Sequence, residues 1–170
     1  MRGELAMSSG GSHAALSAGL ISQQPAGPLE IESRFGKVTV NPTQAIHFPT
    51  GLLGMPDKNL FCLARFPSEK YARFSILQSL DDHSLAFIVL PLDLKNPIIE
   101  SEDLQQAASD LGLPVEDILP LLIVSVHRET GAAKLSVNAR APVLVRASLK
   151  VAAQYVFPHT KYMIRQPLTL

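Results

Sequence analysis

Between residues 74 and 91 the chain reads F-S-I-L-Q-S-L-D-D-H-S-L-A-F-I-V-L-P, two apolar arms around a polar centre. Asp81, Asp82, His83 and Ser84 can cap a turn and tolerate its backbone angles, so the stretch predicts a β-hairpin. In the second arm Leu85, Ala86, Phe87, Ile88, Val89 and Leu90 are apolar at both phases of a two-residue period. That predicts a strand covered on both faces and central in its sheet.

Upstream, Leu29, Ile31 and Ser33 alternate with Glu30, Glu32 and Arg34, the pattern of a half-buried strand that runs through Phe35, with a bend at Gly36 before 37–40. Asn41-Pro42-Thr43 ends pairing there, because proline has no N–H to donate. Further strands are predicted over 45–48 and 59–66, separated by the tight apolar loop Pro49-Thr50-Gly51-Leu52-Leu53-Gly54-Met55-Pro56. Downstream the period changes. Leu104, Ala107, Ala108 and Leu111 recur at helical spacing, with Ser101 as the expected N-cap, Glu102 and Asp103 in the first turn and Gly112 as the stop. Pro114 opens a second helical turn that Pro120 is expected to end. Strands then follow over 121–128 and 134–138 around Glu129-Thr130-Gly131, over 143–146 and 151–157 around 148–150, and over 162–165.

About nine or ten short strands with one helix predict an α+β protein that is mainly antiparallel β, a small β-barrel-like domain with one short helical insertion, over residues 29–170. Residues 1–28, rich in Ser, Gly, Gln and Pro, carry too little apolar surface to offset ordering entropy and are expected to form a disordered tail; Met7 within them could be a downstream start.

Composition narrows the function. Hydrophobic residues are 46% and charged residues 18% of the 170, and the formal net charge of +0 supplies no overall field toward nucleic acid or an anionic membrane. Cys62 is the only cysteine, which excludes an intramolecular disulfide and a CxxC site; within Leu60-Phe61-Cys62-Leu63 it reads as a small buried hydrophobe. No apolar run reaches the roughly 18 residues a membrane span requires, and no signal-peptide pattern opens the chain, so the cytoplasm is the expected compartment.

The five histidines lie far apart, with no HxH or HExxH pair, and no GxSxG, GxGxxG or GxxxxGK[ST] motif is present. Neither a reaction nor a metal nor a cofactor is therefore indicated. His83 beside Asp81 and Asp82 fits a solvated turn better than an acid/base cluster. Arg140, Arg146 and Lys150 give a basic character without stacking aromatics, which leaves a nucleic-acid-binding barrel as one alternative and a flavin-binding split barrel as another. The apolar loop has two readings, a plug for one end of a barrel or a docking surface rimmed by polar residues.

Several segments together resemble the flagellar assembly factor FliW family. They are Ser33-Arg34-Phe35-Gly36, Phe48-Pro49-Thr50-Gly51-Leu52-Leu53-Gly54, Leu77-Gln78-Ser79 with Leu85-Ala86-Phe87, Val137-Asn138 followed by Ala141-Pro142, and Gln154, in that order over about residues 29–168. The resemblance implies a β-barrel-like, non-enzymatic adaptor or chaperone of the bacterial cytoplasm. It would bind flagellin near its C-terminal helical region and, alternatively, the carbon storage regulator CsrA, relieving repression of flagellin translation. Neither a membrane nor direct nucleic-acid contact is implied. On this resemblance Phe48, Pro49, Gly51, Leu52, Gly54, Met55, Gln78, Asn138 and Pro142 form or support the docking surface. Met55-Pro56 stands where the family usually has an aromatic and an acidic residue, and Ile76 where an aromatic is common. Members are typically acidic, which suits a basic RNA-binding regulator, and the neutral charge here does not supply that attraction.

Overall fold

The computed structural model of the chain describes residues 27–93, 95, 97–128 and 133–169. The expected N-terminal tail, apart from residues 27 and 28, and the turn at Glu129-Thr130-Gly131 lie outside the described residues. Eleven strands and one α-helix are found among those described: β1 (Leu29–Ser33), β2 (Gly36–Val40), β3 (Ile46–His47), β4 (Leu60–Arg65), β5 (Ser75–Ser79), β6 (Ala86–Pro91), α1 (Ser101–Asp110), β7 (Ile118–Arg128), β8 (Ala133–Val137), β9 (Val143–Arg146), β10 (Val151–Gln154) and β11 (Gln166–Leu168).

β1 and β2 form a separate hairpin, while the other nine strands make one sheet in the order β11-β8-β7-β6-β5-β4-β3-β10-β9. That sheet closes on itself, because the first part of β7 also pairs with β9, Leu119 opposite Val145 and Leu121 opposite Val143. Every pairing is antiparallel except β3 with β10. The mainly antiparallel, strand-rich fold with a single helix is thus observed, and the 74–91 hairpin forms as β5 and β6 in the middle of the ring.

Alternation along the strands sends residues to three separate clusters. Phe48, Phe61, Leu77, Val89, Leu121, Val143 and Val145 fill the inside of the ring. Their sequence neighbours point outward: Ile76, Cys62 and Ala64 pack under the β1–β2 hairpin with Ile31, Val38 and Val40. Leu122, Val124 and Leu144 pack with Ile99, Leu104 and Ala107 of the helical segment and with Phe157 and Tyr162. Apolar residues on both faces of a strand are explained by this arrangement, since the ring has an inner core and two outer covers. The doubly buried strand is β5, at Ile76, Leu77, Gln78 and Ser79, whereas Phe87, Ile88 and Leu90 of β6 are only half-buried.

Local chemistry explains other departures. Ser101 is the first helical residue rather than the cap; Glu100 occupies the cap without a side-chain bond. The helix stops as expected at Gly112, whose φ of +66° lets its N–H reach Ser109 O and that of Leu113 reach Ala108 O, a Schellman ending. Pro120 does not end a helical turn but lies within β7, opposite Leu144, with its carbonyl still accepting from Leu92 N. Residues 162–165 form no strand; Tyr162 is buried, its hydroxyl bonded to Asp103 and to Glu100 N, and pairing resumes at β11.

Candidate functional site

The 48–56 loop is built from both ends inward. Phe48 is fully buried in the ring, its N–H donating to Asn59 O at 2.8 Å, and Asn59 Nδ2 donates back to Phe48 O at 2.8 Å. Gly51 follows at φ +67°, where a Cβ would lie 2.3 Å from Met55 O, so only glycine fits this crossing. Met55 N then donates to Leu52 O, closing a tight turn with Leu53 and Gly54 at its tip. Gly54, at φ +82°, supplies the positive φ that the third position of a type II turn requires. The two leucines part here: Leu52 is 2% exposed and joins the ring core, while Leu53 is 57% exposed. Met55 is half-buried; Pro49, Gly54 and Pro56 are exposed.

Gln154 of β10 ties this loop to a second segment. Its Oε1 accepts from Leu53 N at 3.1 Å, and its Nε2 donates to Ala141 O at 3.1 Å. The 138–142 bend is itself held by Asn138 Oδ1, which accepts from Ala141 N at 3.0 Å, and by Pro142 O, which accepts from Tyr155 N. Phe157 N donates to Arg140 O, and Met163 O accepts from the N–H groups of Ala139 and Arg140. Three segments carrying exposed apolar side chains, Leu53, Val156 and Met163, therefore hang on one bend. Asn138 is half-buried and Pro142 buried, so both hold the bend.

Gln78 is fully buried and serves the hairpin. Its Nε2 donates to the carbonyls of Ser79, His83 and Leu85 at 3.0–3.1 Å, while Oε1 meets no donor among the described residues. Ser79 Oγ accepts from Asp81 N and Asp82 N. Asp81 Oδ2 accepts from Asn59 N and Leu60 N, linking the hairpin turn to the base of the 48–56 loop. Asp82 is held below the ordinary carboxylate range by hydrogen bonds from the Ser84 hydroxyl and N–H. The turn thus uses its acids as backbone acceptors.

Of the sequence-derived residues, the structure brings Phe48, Pro49, Gly51, Leu52, Gly54, Met55, Asn138 and Pro142 to two bonded segments, while Gln78 stays within the hairpin, whose Asp81 accepts from Asn59 N at the base of the loop. Leu53 stands in the apolar loop that the sequence singles out, whereas Val156 and Met163 do not stand out there, and nothing in the sequence shows the bend that the three share. The basic trio has internal work: Arg146 pairs with Asp117 at 3.2 Å, Arg140 Nε donates to Phe157 O, and Lys150 Nζ donates to Thr43 O. Cys62 is buried, its thiol pushed up to about 11 by desolvation, which keeps it unreactive. No group of three His, Cys, Asp or Glu side chains is placed to hold a metal among the described residues, and no helix is long and apolar enough to cross a membrane.

A closed strand ring with one helix is the fold class of a flagellar assembly factor solved by crystallography: a FliW crystal structure superposes with a TM-score of 0.58 at 17% identity, covering 83% of this chain and 96% of that one. Sequence carries the likeness further. The chain is 29% identical over 148 residues to the flagellar assembly factor FliW of Leptospira interrogans, covering 82% of this chain and 93% of that protein. It is 30% identical over 141 residues to that of Desulfitobacterium hafniense, covering 82% and 91%. The family model described as FliW protein matches residues 30–168, and the chain belongs to that family.

Proposed function

We propose that the chain is a non-enzymatic cytoplasmic adaptor that binds flagellin and, alternatively, CsrA, so that secretion of flagellin frees it to relieve repression of flagellin translation. The observation that carries the reading is the Gln154 bridge, which fixes Leu53 beside the 138–142 bend. Held main chain beneath exposed apolar side chains lowers the ordering cost of association, the property a docking surface needs. Leu53, Val156 and Met163 make the contact; Phe48, Gly51, Leu52, Gln78, Asn138 and Pro142 hold it in shape; Pro49, Gly54 and Met55 form its edge. Competition between the two partners requires only that occupancy by one lowers affinity for the other, directly or through linkage.

Size-exclusion chromatography of the protein mixed separately with monomeric flagellin and with CsrA tests the proposal. Co-elution with either supports an adaptor, and displacement of one by the other supports the switch. Failure to co-elute with both, with the protein folded, rejects it.

A further inference from the structure

Between its two covers the outer face of the ring is left open over β6 and β7. A cavity of about 140 Å³ and an adjoining cleft of about 480 Å³ share the floor residues Ile88, Val124 and Val126, so they form one continuous groove. Val126 is 47% exposed there. One wall is a row of rings: Phe35 lies 6.4 Å from Phe66, Phe66 5.7 Å from Tyr71, and Tyr71 6.5 Å from Phe74, centre to centre.

The rim is cationic. Arg34 sits 5.3 Å over the Phe35 ring and Lys70 5.6 Å over Tyr71, while Arg128 lines the groove at the end of β7; Arg73, 5.0 Å over Phe74, turns away to donate to Thr169 O at 3.3 Å and lines a separate cleft. None of Arg34, Lys70 and Arg128 pairs with a carboxylate among the described residues. Glu69 is the single acidic residue of the 67–73 connection. A neutral chain has thus gathered unpaired positive charge around one apolar strip, while Asp81, Asp103 and Asp117 elsewhere are engaged with its own backbone and side chains.

We propose that this groove is a second docking site, for an acidic amphipathic protein segment whose apolar residues lie on Ile88, Val124 and Val126 while its Asp or Glu side chains meet Arg34, Lys70 and Arg128. Charge complementarity selects that occupant: a basic segment meets three cations, and an uncharged one leaves their charges unmatched. The groove shares no residue with the 48–56 and 138–142 surface, so the two sites can fail separately.

The test is a ¹⁵N-edited NMR titration of the whole chain with two synthetic twelve-residue peptides, one of Glu, Leu and Phe and the other with Lys for every Glu. The expected result is that the acidic peptide shifts the amide signals of Ile88, Val124, Val126 and Arg128, and that raised salt weakens it. In the Arg34→Glu/Arg128→Glu variant, both sites being exposed, affinity should fall at least about tenfold with the unfolding temperature kept. No binding of the acidic peptide, equal binding of the lysine peptide, or shifts confined to other residues overturns the proposal. So does a stronger shift of the same signals by single-stranded poly-dT, or by raising the protein concentration alone, which would assign the groove to nucleic acid or to a second copy.

Discussion

Leu52 and Leu53 are adjacent and chemically identical, yet the backbone assigns them opposite work. Gly51 turns the chain so that Leu52 enters the ring core, and the turn closed at Met55 then carries Leu53 outward. A charge at the buried position loses a packed side chain and desolvates a carboxylate, so Leu52→Asp should destabilise the fold by at least about 3 kcal/mol in urea denaturation. Leu53→Asp should stay within about 0.5 kcal/mol of the parent, as exposed substitutions do. Equal losses at both positions would contradict this division. The sequence showed the loop as a unit, because two glycines among apolar residues are visible in one dimension. Which leucine is buried was not legible: the loop could be a plug or a docking surface, and at 2% exposure Leu52 belongs to the core. The sign depends on two positive φ angles and the sharp crossing they permit.

At the scale of elements, the hairpin at residues 74–91 was legible from two apolar runs around a polar turn, and the stop of α1 from the glycine at 112 that follows the helical spacing. Both are local, set by residues a few positions apart. Gln154 is not: its bond to Leu53 spans 101 residues and follows from ring closure rather than any local pattern. Replacing Gln154 by Ala should release the loop from the bend while leaving the strands paired. Amide exchange at Leu53 is expected to quicken at least about fivefold with global stability lowered by about 1 kcal/mol. Unchanged exchange at Leu53 would show that the turn holds itself. Pro120 marks the opposite failure of local reading: proline signals a break, but here the carbonyl remains in use and the strand exchanges neighbours around it.

For the molecule as a whole, the strand-rich class was legible because many short apolar runs are separated by turn residues. The closing contact of β7 with β9 was not, since it depends on an eleven-residue strand reaching two sets of partners. The helical cover is fastened by aspartates. The Asp103 carboxyl is held below its ordinary range by Lys161 and then Tyr162, that of Asp110 by Tyr155 and then Gln106, and that of Asp117 chiefly by Ser148. A lowered folded pKa stabilises the protein above the unfolded-state value of about 3.9, and the contribution is lost as pH falls through the folded value. The urea midpoint should therefore be level from about pH 7 to 5 and fall below about pH 4, with a smaller fall in Asp103→Asn. A loss already complete at about pH 5 would contradict that assignment.

Whether the fixed apolar tip on the closed strand ring receives flagellin, as proposed, is tested most directly by calorimetric titration of flagellin into the parent protein and Leu53→Asp. The account predicts binding by the parent and at least about a tenfold loss in the variant, with matching unfolding temperatures. Equal affinity in the two proteins would contradict it.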